Sequence, residues 1–341
     1  MPGGRHLWAN RRRGNQLPCH LPLGQASSHV FNLKFCTTDG LRPLPMLRRF
    51  AFFSALSSTA ICLGMGALQP ALAQTVLDRI SSTGRLNTLV MDGDLPYTTK
   101  QGTSYAGLGM EFVQEIQKEL TEYLGKPVTM TPQPINAVEE GIAAIASGQV
   151  DLACGVAFSW GRSMFVDYTV PFALSGTRLL TPAGNDGTPA ALSGKTIGVV
   201  QNTVAAKAME KSVPGAKLQS FESPTAALSA LKEGKINFLA GDSLWLLANQ
   251  GAVDPAGKAA PTVPYNRSAV GCIVPENNSA LLNLSNLAIA RLMQAYINDD
   301  PKALTRINQW VGPGSKVNLS QNVIKTYFAN VLLTTAILAL P

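Results

Sequence analysis

The chain has 341 residues, with 28 Lys or Arg against 21 Asp or Glu and a formal charge of +7. Taken whole, that balance would suit nucleic acid or an acidic membrane, but residues 1–73 hold eight of the basic residues and one acid, so the remainder is electrically neutral and no nucleic-acid partner is expected. All three histidines (His6, His20, His29) also precede residue 74, which excludes Ser-His-Asp and Cys-His catalysis and an ordinary zinc site from the body.

From the N-terminus, residues 1–45 carry Arg, Pro and His without any periodic apolar pattern and are expected to be a non-native or disordered leader, with translation starting at Met46. MLRRF then supplies a basic start, Ala51–Leu68 a mostly apolar run, and ALA at 71–73 a small-x-small cleavage pattern before Gln74. Residues 46–73 therefore read as a secretory signal peptide, which places the mature protein in the periplasm. The run is short and carries Gly64 and Gly66, which argues against a retained anchor, and Ile61 is too bulky for a lipidated Cys62.

The mature part alternates strand-like and helical stretches, an α/β signature. RLNTLVM (85–91) predicts a strand, and residues 109–125 a helix with Phe112, Ile116, Leu120 and Tyr123 on one face. A strand at 127–133, a helix at 137–148 ending at Gly148, and a buried strand VDLACGV (150–156) follow. After a loop containing Arg162, the strand 175–184 leaves this unit. The Gly/Asn/Pro-rich linker GNDGTPAAL opens a second unit with the same rhythm: strands at 195–201, 216–221 and 236–242, and helices at 203–213, 223–234 and 243–251. A strand at 268–277 and a long helix at 280–299 then revert to the style of the first unit.

The economical arrangement is a two-lobed α/β fold. Lobe 1 is 74–181 plus 268–318, lobe 2 is 182–267 inserted in it, and two crossing hinge strands lie near 178–182 and 267–271. Such lobes hold ligands in the crevice at the carboxyl ends of their strands. The tail 319–341 predicts a helix packing an apolar face on the body, too short to span a bilayer. Cys154 and Cys272 both sit in apolar strand-like runs, as a disulfide or as two free buried thiols.

Arg162 is the candidate of most chemical interest, because a guanidinium amid apolar and small residues keeps its charge and needs an anion to meet it. A structural pair with Asp167 would satisfy it, as would an incoming carboxylate. Thr203 stands at the start of a helix, where a hydroxyl and backbone N–H groups make an anion seat or a plain N-cap. Asp242 ends a strand, either to hold a cation or to cap the following helix.

Three motifs carry a family resemblance over roughly residues 85–317. They are GQVDLACG followed by Ser159-Trp160-Gly161-Arg162 and by Asp167-Tyr168-Thr169-Val170-Pro171-Phe172; then Leu192-Ser193-Gly194-Lys195-Thr196-Ile197-Gly198-Val199-Val200-Gln201-Asn202-Thr203; and Gly234-Lys235-Ile236-Asn237-Phe238-Leu239-Ala240-Gly241-Asp242. Together they resemble the amino-acid-binding branch of the periplasmic solute-binding proteins, family 3. The resemblance implies the type II periplasmic-binding-protein fold and a site for a free amino acid. Arg162 would take the ligand carboxylate, Asp242 the ammonium, Ser159, Asn202 and Thr203 would add polar contacts, and Tyr97, Phe158 and Trp160 would add aromatic walls.

The sequence departs from the family pattern at Gly161, where an acid usually precedes the arginine, at Asn202, usually glycine, and at Gly109, usually aspartate. GLGME and DGDLPY also resemble an orphan cyanobacterial subset encoded beside a radical-SAM enzyme and a Gly-rich repeat peptide. The expected function is capture of a small amino-acid-like zwitterion by a monomer, serving an ABC permease or a sensor, with no cofactor and no catalysis. The alternatives are a partner of a secreted Gly-rich peptide and a cyclohexadienyl dehydratase-like enzyme, whose acid or base would have to be Glu111, Asp94 or Asp242. With neither a P-loop nor a membrane bundle, the chain is not itself a transporter.

Overall fold

The computed structural model describes residues 75–338, and side chains as far as 335. The expected leader (1–45) and signal peptide (46–73) lie outside the described residues.

The first group of elements runs α1 (Val76–Thr83), β1 (Arg85–Met91), β2 (Thr99–Gln101), β3 (Ser104–Ala106), α2 (Leu108–Leu124), β4 (Thr129–Ile135), α3 (Val138–Ala146), β5 (Ala153–Ala157), β6 (Val166–Tyr168) and β7 (Ala173–Thr181). The next comprises α4 (Pro189–Leu192), β8 (Thr196–Val200), α5 (Val204–Ser212), β9 (Lys217–Phe221), α6 (Pro224–Lys232), β10 (Phe238–Asp242), α7 (Ser243–Val253) and β11 (Lys258–Ala260). The chain closes with β12 (Arg267–Pro275), α8 (Ser279–Ile297), α9 (Pro301–Asn308) and α10 (Gln321–Leu338). All the longer elements fall where hydrophobic periodicity puts them. Absent from the sequence reading are short pieces of at most eight residues, α1, α4, α9, β6, β11 and the β2–β3 hairpin, too brief for a repeated period to stand out.

Strand order β5-β12-β7-β10-β8-β9 makes one continuous sheet, with β6 on β12 and β11 on β7. Its middle is the pair of nine-residue strands: β7 runs antiparallel to β12 from Ala173 to Gly176, then pairs with β10 from Thr177 to Leu180. The change of partner at Gly176 falls before the 178–182 expected from the sequence, whereas the opposite strand crosses at Arg267–Val270, within the expected 267–271. Gly176 is required there, since a Cβ would lie 2.3 Å from the Asn266 carbonyl oxygen. β1 and β4 form a parallel pair that reaches β5 through the Thr88–Leu152 bridge.

On the β8–β10 side, alternation explains the layering. Leu179, Val199 and Ala240 face Ala206 and Met209 of α5, while Leu180, Val200 and Leu239 face Ala227 and Leu231 of α6 and Trp245 of α7. Strands covered on both faces read as unbroken apolar runs, as TIGVV does. The largest core joins α2, α8 and α10 around Phe112, Phe172 and Tyr296. In the C-terminal helix Ile324 and Phe328 are buried, and the Phe328 ring meets Tyr296 edge-on at 5.4 Å. No helix among the described residues is long and apolar enough to cross a membrane.

Two ion clusters clamp the frame. Asp151, fully buried, pairs with Arg79 and accepts the Asn87 N–H. Glu111 receives Arg306 Nε at 2.6 Å, Gln309 at 2.9 Å and Trp310 Nε1 at 3.2 Å. Those donors tie α2 to α9 and remove Glu111 from the candidate acids.

Candidate functional site

A cavity of about 170 Å³ opens where β1, β5, β8 and β10 end and where β7 and β12 cross. Each strand hands over to a loop or helix start that delivers polar groups: Asp94 and Tyr97 after β1, Arg162 after β5, Thr203 after β8, and Asp242 at the end of β10. The crossing strands add Thr177 and Ser268.

Arg162 sits in a turn made by the Ser159 carbonyl, which accepts the N–H of Arg162 and of Ser163, both at 3.0 Å. Its guanidinium donates through Nη2 to the Asn202 carbonyl at 2.7 Å and through Nη1, at 3.4 Å, to the Ala157 carbonyl. No acid among the described residues forms an ion pair with it. Asp167, the native carboxylate weighed as a partner, instead accepts the Asn277 N–H at 3.1 Å. The charge therefore stands in a cavity wall held by two neutral carbonyls, which orient it without neutralising it.

Thr203 caps α5, its Oγ1 accepting from Ala206 N at 3.1 Å and donating to the Val200 carbonyl at 2.7 Å. That use spends the hydroxyl, so what remains for an anion is the N–H groups of the first turn, beside the cavity-lining Val204 and Ala205. Asn202 has φ 59°, a left-handed conformation that asparagine tolerates well. The residue standing where the family has glycine thus meets the same backbone demand.

Facing Arg162's side of the cavity is an acidic cluster. Asp242 Oδ1 accepts Leu244 N at 2.9 Å, Trp245 N at 3.1 Å and Tyr97 Oη–H at 3.1 Å. It caps α7 and borders the cavity at once, so the two readings of Asp242 hold together. Asp94 also lines the cavity, and no protein donor among the described residues bonds its carboxylate. Burial and the neighbouring Asp242 charge hold the Asp94 carboxyl well above the usual carboxylate range. Burial raises Asp242 as well, against the hydrogen bonds of Ser175, Trp245, Tyr97 and Leu244. The Tyr97 hydroxyl is pushed well up by burial and then by both carboxylates.

Tyr97 is placed by close backbone approach. A Cβ at Gly107, which has φ 144°, would come within 2.1 Å of the Tyr97 carbonyl oxygen, and one at Gly109 would lie 2.9 Å from that of Cys154. Gly109 therefore replaces the family aspartate at a point where no side chain fits. The loop carrying Asp94 and Tyr97 is held from the other side by Trp245 Nε1, which donates to the Gly93 carbonyl at 2.9 Å.

Arg162, Asp242, Thr203 and Tyr97 thus converge on the cavity as the sequence suggests. Ser159, Asn202, Phe158 and Trp160 do not border it. Ser159 and Asn202 act through their carbonyls on Arg162. Trp160 is 80 % exposed and rests edge-on against Phe158 at 4.9 Å, which in turn meets Tyr168 at 5.0 Å. This aromatic stack props the Arg162 turn from outside. Asp94 was weighed only as a general acid or base, although its place three residues before Tyr97 in one loop could have marked it as a site residue.

Asp94 should make the site sensitive to pH. A carboxyl whose folded pKa is raised stabilises the fold below its unfolded pKa and loses that contribution as pH rises through the folded value. Asp94→Asn should accordingly raise the melting temperature at neutral pH and flatten its fall as pH rises above the ordinary carboxylate range, as a series of thermal melts would show. An unchanged slope would remove Asp94 from the electrostatics of the cavity.

A mixed sheet with two crossing strands, and a polar cleft at its strand ends, define a two-lobed α/β binding protein of the type II periplasmic class. The chain matches the bacterial extracellular solute-binding proteins, family 3, over residues 86–299, and it belongs to that family. The L-cystine-binding protein TcyJ of Escherichia coli (strain K12) is 24 % identical over 230 residues, covering 64 % of this chain and 81 % of that protein. The solved structure of a solute receptor for L-cysteine from Neisseria gonorrhoeae superposes with a TM-score of 0.59 at 25 % identity, over 70 % of this chain and 94 % of that one. The ancestral amino acid-binding protein AncCDT-1, described as a precursor of cyclohexadienyl dehydratase, gives 0.57 at 20 % identity, over 69 % and 99 %.

Proposed function

We propose that this protein captures a small amino-acid-like zwitterion in the cavity between its two groups of strands, as the exported binding component of an ABC-type uptake system or a sensor. The observation that carries the reading is the guanidinium of Arg162, oriented by carbonyls and unmatched by any acid among the described residues, in one cavity with the carboxylates of Asp94 and Asp242. A zwitterion complements both: its carboxylate suits the planar fork and the N–H groups at the start of α5, and its ammonium suits the acids and the Tyr97 hydroxyl. The names of the relatives, which bind cystine or cysteine, support the same ligand class.

Native mass spectrometry of the freshly purified full chain tests the reading. The expected result is a bound species of amino-acid mass, released on denaturation and reactive with an amine reagent. Absence of any bound mass, together with flat calorimetric traces for all twenty amino acids, would overturn it.

A second reading, an enzyme on the same scaffold, is favoured by one observation: a cavity carboxyl with a raised pKa is what a general acid requires. With Glu111 committed to Arg306, that chemistry would fall to Asp94 or Asp242. Turnover of arogenate or prephenate by the full chain would establish it.

A further inference from the structure

We infer that the ligand's side chain is apolar, an aliphatic or thioether chain of leucine or methionine size, lodged against an aliphatic wall of the cavity. The inference rests on the proposed zwitterion site and adds the class of amino acid.

The wall is formed by Leu89 and Met91 of β1, Ile135 at the end of β4, Val138 and Ile142 of α3, and Val156 of β5. None of these six is fully buried by protein, because each leaves part of its side chain toward the cavity. Gly141 belongs to the same wall, and a Cβ there would come within 2.6 Å of Ile135 Cδ1, which closes the cavity on that side.

The acids come from the loop after β1 and the end of β10, whereas the wall is drawn from β1, β4, α3 and β5. The Tyr97 hydroxyl touches Asp242, and Asp94 is close enough to that carboxylate for the two charges to oppose each other, so the acids form one cluster instead of two separated subsites. One acidic cluster, with the Tyr97 hydroxyl beside it, matches a single ammonium. A lysine, arginine or glutamate side chain directed at the aliphatic wall would lose its hydration there without gaining a partner. A leucine side chain removes apolar surface from water on both faces of the contact.

Isothermal calorimetry of the full chain with glycine, alanine, leucine, methionine, arginine, lysine, glutamate and cystine tests this. Leucine or methionine should bind about 50-fold tighter than alanine, the ratio three further buried carbons give, and at least about tenfold tighter than any charged side chain. The variant Ile142→Asn should cut the leucine-to-alanine affinity ratio by about tenfold. If that variant misfolds, Val138→Thr, nearly the same shape with one hydroxyl, gives the same comparison. Arginine, lysine, glutamate or cystine binding more tightly than leucine would overturn the apolar assignment and leave the zwitterion site standing. No heat from leucine or methionine would likewise overturn the apolar assignment, while the zwitterion site itself falls only if all twenty amino acids are silent.

Discussion

Arg162→Ala should weaken capture of the ligand by at least about 30-fold, while the melting temperature of the protein moves little. Truncating one partner of a desolvated, hydrogen-bonded charge pair costs about 2–5 kcal/mol, because the bound carboxylate is then left in the cavity without its counter-charge. The fold loses much less. Arg162 makes two bonds to carbonyls, at 2.7 and 3.4 Å, and no ion pair with any described acid, so its removal strands no buried charge. Arg162→Lys keeps the charge but not the fork, and should recover only part of the affinity. Calorimetry beside thermal melts separates the two effects. An alanine variant that still binds as tightly as the parent would remove the guanidinium from the site, and with it the reading of a carboxylate seat.

The second large effect concerns stability. Cys154 of β5 and Cys272 of β12 are joined by a disulfide, closing a loop of 118 residues between neighbouring strands. A cross-link over so long a loop restricts the unfolded chain, and such bridges typically contribute about 2–4 kcal/mol. The double variant Cys154→Ala/Cys272→Ala should lower the melting temperature by about 5–12 °C, and a reductant should lower that of the parent similarly. Both cysteines are buried, so the parent should resist reduction until it opens. A double variant as stable as the parent under oxidising conditions would show that the bridge adds nothing to the native state.

The sequence was legible where a local pattern serves a global purpose. Strands such as TIGVV and FLAGD declare burial on both faces by their unbroken apolar content, and α2 and α8 declare one packed face through helical spacing. Arg162 was legible because a lone guanidinium among small residues contradicts its surroundings. What escaped depends on contacts distant in the chain. Nothing near Trp160 tells that its ring lies on the outside of the Arg162 turn, because the aromatic stack that fixes it includes Tyr168, beyond the turn. Nothing near Asp94 tells that Asp242, 148 residues later, raises its pKa. The aliphatic wall is equally silent, for Leu89 and Ile142 read as ordinary core until β1 and α3 are seen to leave a gap between them. The two cysteines were ambiguous for the same reason, since only the register of β5 on β12 brings their side chains together.

The pairing of β12 with β5 and β7 also sets an order of events at birth. As the polypeptide emerges from its N-terminus, β5 is made about a hundred residues before its sheet neighbour, and everything from α4 to β11 is made in between. The earlier half must wait with an uncovered strand edge while the later half takes shape, and only the arrival of Cys272 lets the waiting thiol of Cys154 find its mate. A helper that shields nascent chains has its window before residue 272 is delivered, and one that catalyses oxidation can close the bridge only afterwards.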